Sequence, residues 1–158
     1  MRGNKFYKFL DLFIGTILVL LLRCVGFKRR HGFNASPKNI GIIKLAAMGD
    51  TLLLVPILRK LRTTYPEVNI VFIGTKINEE LVHLFPKYTD RFLCFDIRQS
   101  LHRPCSFFLF LKKLRSRNFD VVLDFEQWSM ITPIMTALSG AKAAAGFSLR
   151  HRMRHLLY

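Results

Sequence analysis

The chain is poor in acidic residues: 10 Asp and Glu stand against 25 Lys and Arg in 158 residues, a net charge of +15. That imbalance implies a polyanionic neighbour, whether nucleic acid, an anionic membrane surface or a phosphorylated substrate. Cysteine is sparse too. Cys24, Cys94 and Cys105 are odd in number and have no metal-ligand spacing, which fits a reducing compartment and thiols that are buried or inert. His83, His102, His151 and His155 likewise share no metal spacing, so no metal site is expected. Low-complexity tracts and internal repeats are absent. An apolar fraction of 51% with 13% aromatics excludes a disordered chain, and the length suits one domain with its own core.

Glycine signatures for nucleotides are also missing. The turn Ala46-Ala47-Met48-Gly49-Asp50 holds one glycine, so it is neither a dinucleotide fingerprint nor a Walker loop, and it does not cradle phosphate.

No apolar run is long enough to span a bilayer without charges. The uncharged stretch "LFIGTILVLLL", residues 12 to 22, falls short of the roughly 20 residues required. Extended from Phe6 to Phe27, it admits Lys8, Asp11 and Arg23. On a helix Lys8, Asp11, Gly15, Thr16 and Arg23 take one side; Phe6, Phe9, Leu10, Phe13, Ile14, Ile17 and Leu21 take the other. Cations flank it on both ends, Arg2, Lys5 and Lys8 before and Lys28, Arg29 and Arg30 after. A spanning helix would strand one cluster on the far side, whereas an in-plane helix keeps both among anionic headgroups. Residues 1–30 are therefore expected to form a membrane-associated helix, in-plane or as a single span. A signal peptide or an ordinary core helix is the remaining alternative, although "RCVGFKRRH" offers no small-x-small cleavage site. Residues 31–38, with Gly, Pro, Ser and Asn, read as a linker.

From residue 39 strand and helix patterns alternate. "NIGIIKL", "VNIVFIG", "RFLCFD", "FDVVLDF" and "KAAAGF" read as strands. Between them lie helical patterns: "TLLLVPILRKLRTTY", "NEELVHLFPKY" ending near Pro86, "CSFFLFLKKLRSR" and "SMITPIMTALSG" stopped by Gly140. Pro56 is too deep for the first turn of its pattern, which predicts a kink or a later helix start. Apolar strands every 25 to 30 residues with helices between them predict a Rossmann-like parallel sheet with helices on both faces over 39–158.

Open α/β sheets bind ligands at the carboxyl ends of their strands. Asp50 at the first such end is either a helix cap or a general base, which must reach a hydroxyl within about 3 Å. "LDFEQW" ends the fourth strand, where Glu126 and Gln127 either line a pocket or cap the next helix. The final "RHRMRHLLY" reads as a solvated or membrane-facing basic segment, or one that grips phosphates.

Three ordered blocks resemble the N-terminal half of glycosyltransferase family 9, the ADP-heptose:lipopolysaccharide heptosyltransferases. "IGIIKLAAMGDTLLLVPILRKLRTTYPEVNI" is similar to the family's opening strand, Gly-Asp turn and Pro-containing helix. "FDVVLDFEQWSMITPIMTALSGAKAAAGF" is similar to its Asp-containing strand and closure, and "RHRMRHLLY" to the start of the segment leading to a second domain. The resemblance implies a GT-B fold of which this chain carries the acceptor-side domain. It implies inverting transfer of a heptose-like sugar from a nucleotide-sugar, with Asp50 as base and Met48 and Gly49 shaping its turn. It implies a phosphorylated, lipid-linked or lipopolysaccharide-core acceptor at the cytoplasmic face of a bacterial inner membrane. No cofactor is implied beyond the donor, which a C-terminal domain absent from these residues would hold; alone, the chain is expected to be inactive. A non-catalytic, membrane-bound glycolipid-binding module is the alternative. Nucleic acid is not an expected partner, because the cations are dispersed and no recognised module is present.

Overall fold

The computed structural model describes residues 5–24, 36–148 and 153–158, with backbone alone for 5–10, 101 and 102. The expected linker at 31–38 and the cations at 28–30 lie largely or wholly outside them. A first helix, α1 (Lys5–Cys24), precedes β1 (Asn39–Ile43), α2 (Met48–Leu52), α3 (Val55–Thr64), β2 (Asn69–Gly74), α4 (Lys76–Val82) and β3 (Arg91–Cys94). The chain continues through α5 (Ile97–His102), α6 (Pro104–Arg115), β4 (Val121–Asp124), α7 (Ile131–Leu138), β5 (Ala143–Gly146) and a closing 3-10 turn, Met153–Leu157.

All five strands are parallel, in the order β3-β2-β1-β4-β5. Alternate side chains of the central strands go to opposite faces, and both faces are covered. Ile40 and Ile42 of β1 with Ile70 and Phe72 of β2 pack against Leu54, Leu58 and Val82. On the other face Ile43, Val71 and Ile73 pack against Leu111, Leu114 and Met135. The predicted Rossmann-like sheet with two helical layers is therefore present.

Several local boundaries differ from the pattern. The helix expected from Thr51 is split at Leu53 and Leu54, and Pro56 falls in the first turn of α3, where its missing N–H is harmless. α4 stops at Val82, because Leu84 and Phe85 bond back three residues and Pro86 disfavours helix before it. α5 was not predicted; Asp96 caps it by accepting from the Gln99 N–H at 2.9 Å. Gly140 does stop α7, at φ 76°.

Two expectations need larger correction. The three cysteines are exposed rather than buried: Cys24 ends α1, Cys94 lies on the edge strand and Cys105 in the first turn of α6. Partial burial and the Glu79 carboxylate do push the Cys94 thiol up, towards low reactivity. The C-terminal basic segment, expected to be solvated, membrane-facing or phosphate-gripping, instead buries Arg154 and Leu157 in the body and leaves Met153 exposed.

α1 shares a core with this body. Val19 packs with Met130, Ile134 and Leu157, with Leu22 at the margin.

Candidate functional site at the switch point

Strand order reverses at β1, so β2 and β4 leave it in opposite directions, and the space above the ends of β1 and β4 is the switch-point crevice in which open α/β sheets bind ligands. Lys44 follows the last residue of β1. Its side chain is almost wholly buried, and its ammonium lies 3.2 Å from Asp50 Oδ2, 3.3 Å from the Phe125 carbonyl and 3.9 Å from Glu126 Oε2. One cation thus joins the turn after β1 to the turn after β4. Parallel pairing of Ile43 with Asp124 sets the two turns side by side.

Glu126 is the anchor of this arrangement. Its Oε2 accepts the backbone N–H groups of Leu45 at 3.3 Å and Ala46 at 3.1 Å, while Oε1 accepts those of Gln127 and Trp128. It is 2% exposed, so it braces the β1 turn rather than presenting a carboxylate to a ligand. Gln127 points outward and is exposed.

Asp50 is different. Its side chain is 52% exposed while the Lys44 side chain beneath it is 4% exposed. The carboxylate therefore has one oxygen tied to a buried cation and the crevice above it. Asp50 lies within the first turn of α2, whose Ala47 cap makes no side-chain bond, so the acid adds favourable charge at a helix start without capping it. Met48 and Gly49 also belong to α2; the turn proper is Ala46 and Ala47. Met48 is exposed, and a Cβ placed on Gly49 would meet no described atom within 4 Å, leaving open space beside Asp50.

Ala47 stands at φ 64°, ψ 107°, a conformation that L residues avoid. It is held there by hydrogen bonds. Thr51 donates through N and Oγ1 to the Ala47 carbonyl, both at 3.1 Å, and Asn78 Nδ2 donates to Thr51 Oγ1 at 2.8 Å. Thr75 Oγ1 lies 3.1 Å from the Leu45 carbonyl as donor. Asn78 and Thr75 thus fix α2 from the neighbouring α4.

Asp124 ends β4 but is withdrawn from the crevice. Arg154 Nη2 and the Tyr158 hydroxyl donate to its Oδ2 at 3.0 and 2.5 Å, closing the 3-10 turn over it. Burial pushes the Asp124 carboxyl up against the pull of Arg154, and burial beside Asp124 pushes the Tyr158 phenol up as well.

Sequence reasoning found Asp50, Met48, Gly49, Glu126 and Gln127, and the structure brings Asp50 and Glu126 together. It missed Lys44, Thr51, Asn78 and Arg154. A signal existed for Lys44: it is the one charge in the run from Ile40 to Met48. Among the described residues no cluster of His, Cys, Asp and Glu could hold a metal ion.

No family model matches this sequence. No curated protein matches it either. Solved structures do match in fold. A glycosyl transferase family 9 structure from Veillonella parvula superimposes with a TM-score of 0.61 at 14% identity, over 76% of this chain and 39% of that one. Escherichia coli heptosyltransferase WaaC with ADP gives 0.61 at 20% identity, again over 76% and 39%. The same enzyme with ADP-2-deoxy-2-fluoro heptose gives 0.64 at 18%, covering 76% of this chain and 40% of that one. The chain thus has the fold of one Rossmann-like domain of these proteins and spans about two fifths of their length.

Proposed function

We propose that this chain is the acceptor-side domain of an inverting glycosyltransferase with Asp50 as general base. The observation that carries the reading is the position of Asp50. It is a half-exposed carboxylate at the switch point, held from below by buried Lys44 and facing open space beside Gly49. A carboxylate so placed can accept the proton of an acceptor hydroxyl while that oxygen attacks the donor's anomeric carbon. The bond from that carbon to the nucleoside diphosphate breaks on the opposite face, and the diphosphate leaves. Fixing Asp50 in advance through Lys44 lowers the entropic cost of reaching this geometry.

The neighbours in fold supply the substrate class. They are a family 9 transferase and a heptosyltransferase determined with ADP and with a fluorinated ADP-heptose. By analogy the donor is a nucleotide-linked, heptose-like sugar, and this reading leaves its nucleotide to a donor-binding domain other than the one described. A phosphorylated, lipid-linked oligosaccharide suits the acceptor side of a chain with net charge +15.

The test is transfer from labelled ADP-heptose to lipopolysaccharide-core acceptor, with this chain joined to a donor-binding domain of a family 9 transferase. Asp50→Asn lowers the rate by about 10² to 10⁴-fold and leaves acceptor affinity within a few-fold, the signature of a lost base. Undiminished transfer removes Asp50 from the chemistry. Acceptor binding with no transfer by the wild type makes the chain a glycolipid-binding module instead.

A further inference from the structure

The two sides of α1 have exchanged the roles that an isolated amphipathic helix would give them. Asp11, Gly15, Val19 and Leu22 recur at helical spacing along one stripe, and that stripe faces the protein. Asp11 Oδ2 accepts the Met130 N–H at 2.9 Å, and its Oδ1 lies 3.4 Å from Ser129 Oγ. At Gly15 a Cβ would collide with the Met130 side chain, so the helix backbone rests directly on the start of α7. Val19 is fully buried against Ile134 and Leu157.

The opposite side points away from the body. Ile14, Ile17, Leu20 and Leu21 fall within a third of the helix circumference and are 41 to 55% exposed. Four large aliphatic residues on one exposed arc form a contiguous apolar face of the kind that marks an interaction surface.

We propose that this outward face of α1 lies in the plane of an anionic lipid surface, with its aliphatic side chains among the acyl chains. Three observations favour lipid over a protein partner. The face is apolar throughout, with Phe13 on the same arc as the four aliphatic residues, and it carries no acid. Both ends of the helix are cationic in sequence, with Arg2 before it, Lys5 and Lys8 in its first turns, and Lys28, Arg29 and Arg30 after it, as an anionic headgroup layer requires. The chain as a whole carries +15, which would repel a second copy of itself.

The docking also selects in-plane over spanning. No helix among the described residues is long and apolar enough to cross a membrane. A helix tied through Asp11, Gly15 and Val19 to the body cannot also be surrounded by lipid. The attachment has a consequence for the crevice: Asp11 holds Ser129 and Met130, three and four residues beyond Glu126, so the lipid-facing helix is fixed to the turn that braces Lys44 and Asp50. A lipid-linked acceptor would then meet Asp50 at a set height above the membrane. That last step rests on the glycosyl-transfer reading; the lipid surface does not.

Flotation with vesicles tests it, using the full chain and neither donor nor acceptor. The chain floats with vesicles of equal parts phosphatidylglycerol and phosphatidylcholine. It binds pure phosphatidylcholine at least about tenfold more weakly, since several cations contribute. Ile17→Glu with Leu21→Glu abolishes flotation while the unfolding midpoint is kept, because both residues are exposed. Orientation is read separately. With Cys24, Cys94 and Cys105 changed to serine, cysteines introduced one at a time beyond each end of the helix, Asn4→Cys and His31→Cys, both react on vesicles with a membrane-impermeant maleimide. Protection of either end establishes a span and overturns the in-plane arrangement. Failure to float, flotation unchanged by the double substitution, or a dimer in solution that the double substitution dissolves overturns the lipid assignment. Loss of transfer in Asp50→Asn with flotation intact keeps the two readings distinguishable.

Discussion

The Asp11 carboxylate accepts the backbone N–H of Met130 at 2.9 Å across 119 residues of sequence. It supplements the local bond at the start of α7, where Ser129 Oγ accepts the Ile131 N–H at 3.3 Å, since the N-cap residue Met130 itself offers no side-chain acceptor. Asp11→Ala should destabilise the protein by about 1 kcal/mol, the usual cost of losing a helix cap. Urea unfolding checks this. An unchanged midpoint would show that water satisfies Met130 equally well.

Lys44 is the second residue on which distant segments depend. Replacing it with Met leaves buried Glu126 facing Asp50 without the shared cation. Removing one partner of a buried pair costs about 3 to 5 kcal/mol; with Asp50 half exposed and Glu126 at 3.9 Å, the lower end or slightly less is expected. Glu126→Gln combined with Lys44→Met should cost clearly less than the sum of the single changes. Strict additivity in denaturant unfolding would show that the two side chains do not interact.

Asp120 supplies a pH dependence. Its carboxylate accepts the Lys38 and Asn39 N–H groups at 2.8 and 3.0 Å, and Lys142 Nζ lies 2.7 Å away. The Lys142 hydrogen bond, followed by the two backbone donors, holds its carboxyl below the ordinary aspartate value against burial. A carboxyl lowered on folding stabilises the native state above its unfolded pKa, and that stability is lost as pH falls through the folded value. Asp120→Asn should therefore lower stability at neutral pH by about 1.5 to 3 kcal/mol, as hydrogen bonds to a charged group are worth. The difference should shrink below about pH 4. A difference that persists at acid pH would assign the loss to packing.

Ala47 predicts a trade between stability and activity. At φ 64° a glycine is unstrained, so Ala47→Gly should raise stability by up to about 1 kcal/mol. The same change loosens the turn that carries Asp50, and transfer should fall while acceptor binding holds. Reduced thermal stability in this variant would mean that the backbone there relaxes without glycine.

Much of the fold was legible along the chain because its signals are local. Near-continuous apolar runs at β1, β2 and β4 indicated strands covered on both faces, and Pro56 correctly indicated a later helix start. Asp50 was visible as an acid at a strand-to-helix turn. The amphipathic stripe of α1 was visible too, but not which side would face the protein.

What tertiary structure decided was which distant residues meet. Lys44 and Glu126 are 82 positions apart, and only the parallel pairing of β1 with β4 sets their turns together. Arg154 read as part of a solvated, membrane-facing or phosphate-gripping segment, because nothing near it in sequence announces Asp124, 30 positions earlier, with which it is buried. Periodicity records whether a side chain faces a core; it carries no term for which element supplies the other wall. Asp11 and Gly15 looked like the water-facing side of a lone helix, and became its docking face because the Met130 N–H at the start of α7 donates to Asp11 and the Met130 side chain occupies the space a Cβ at Gly15 would need.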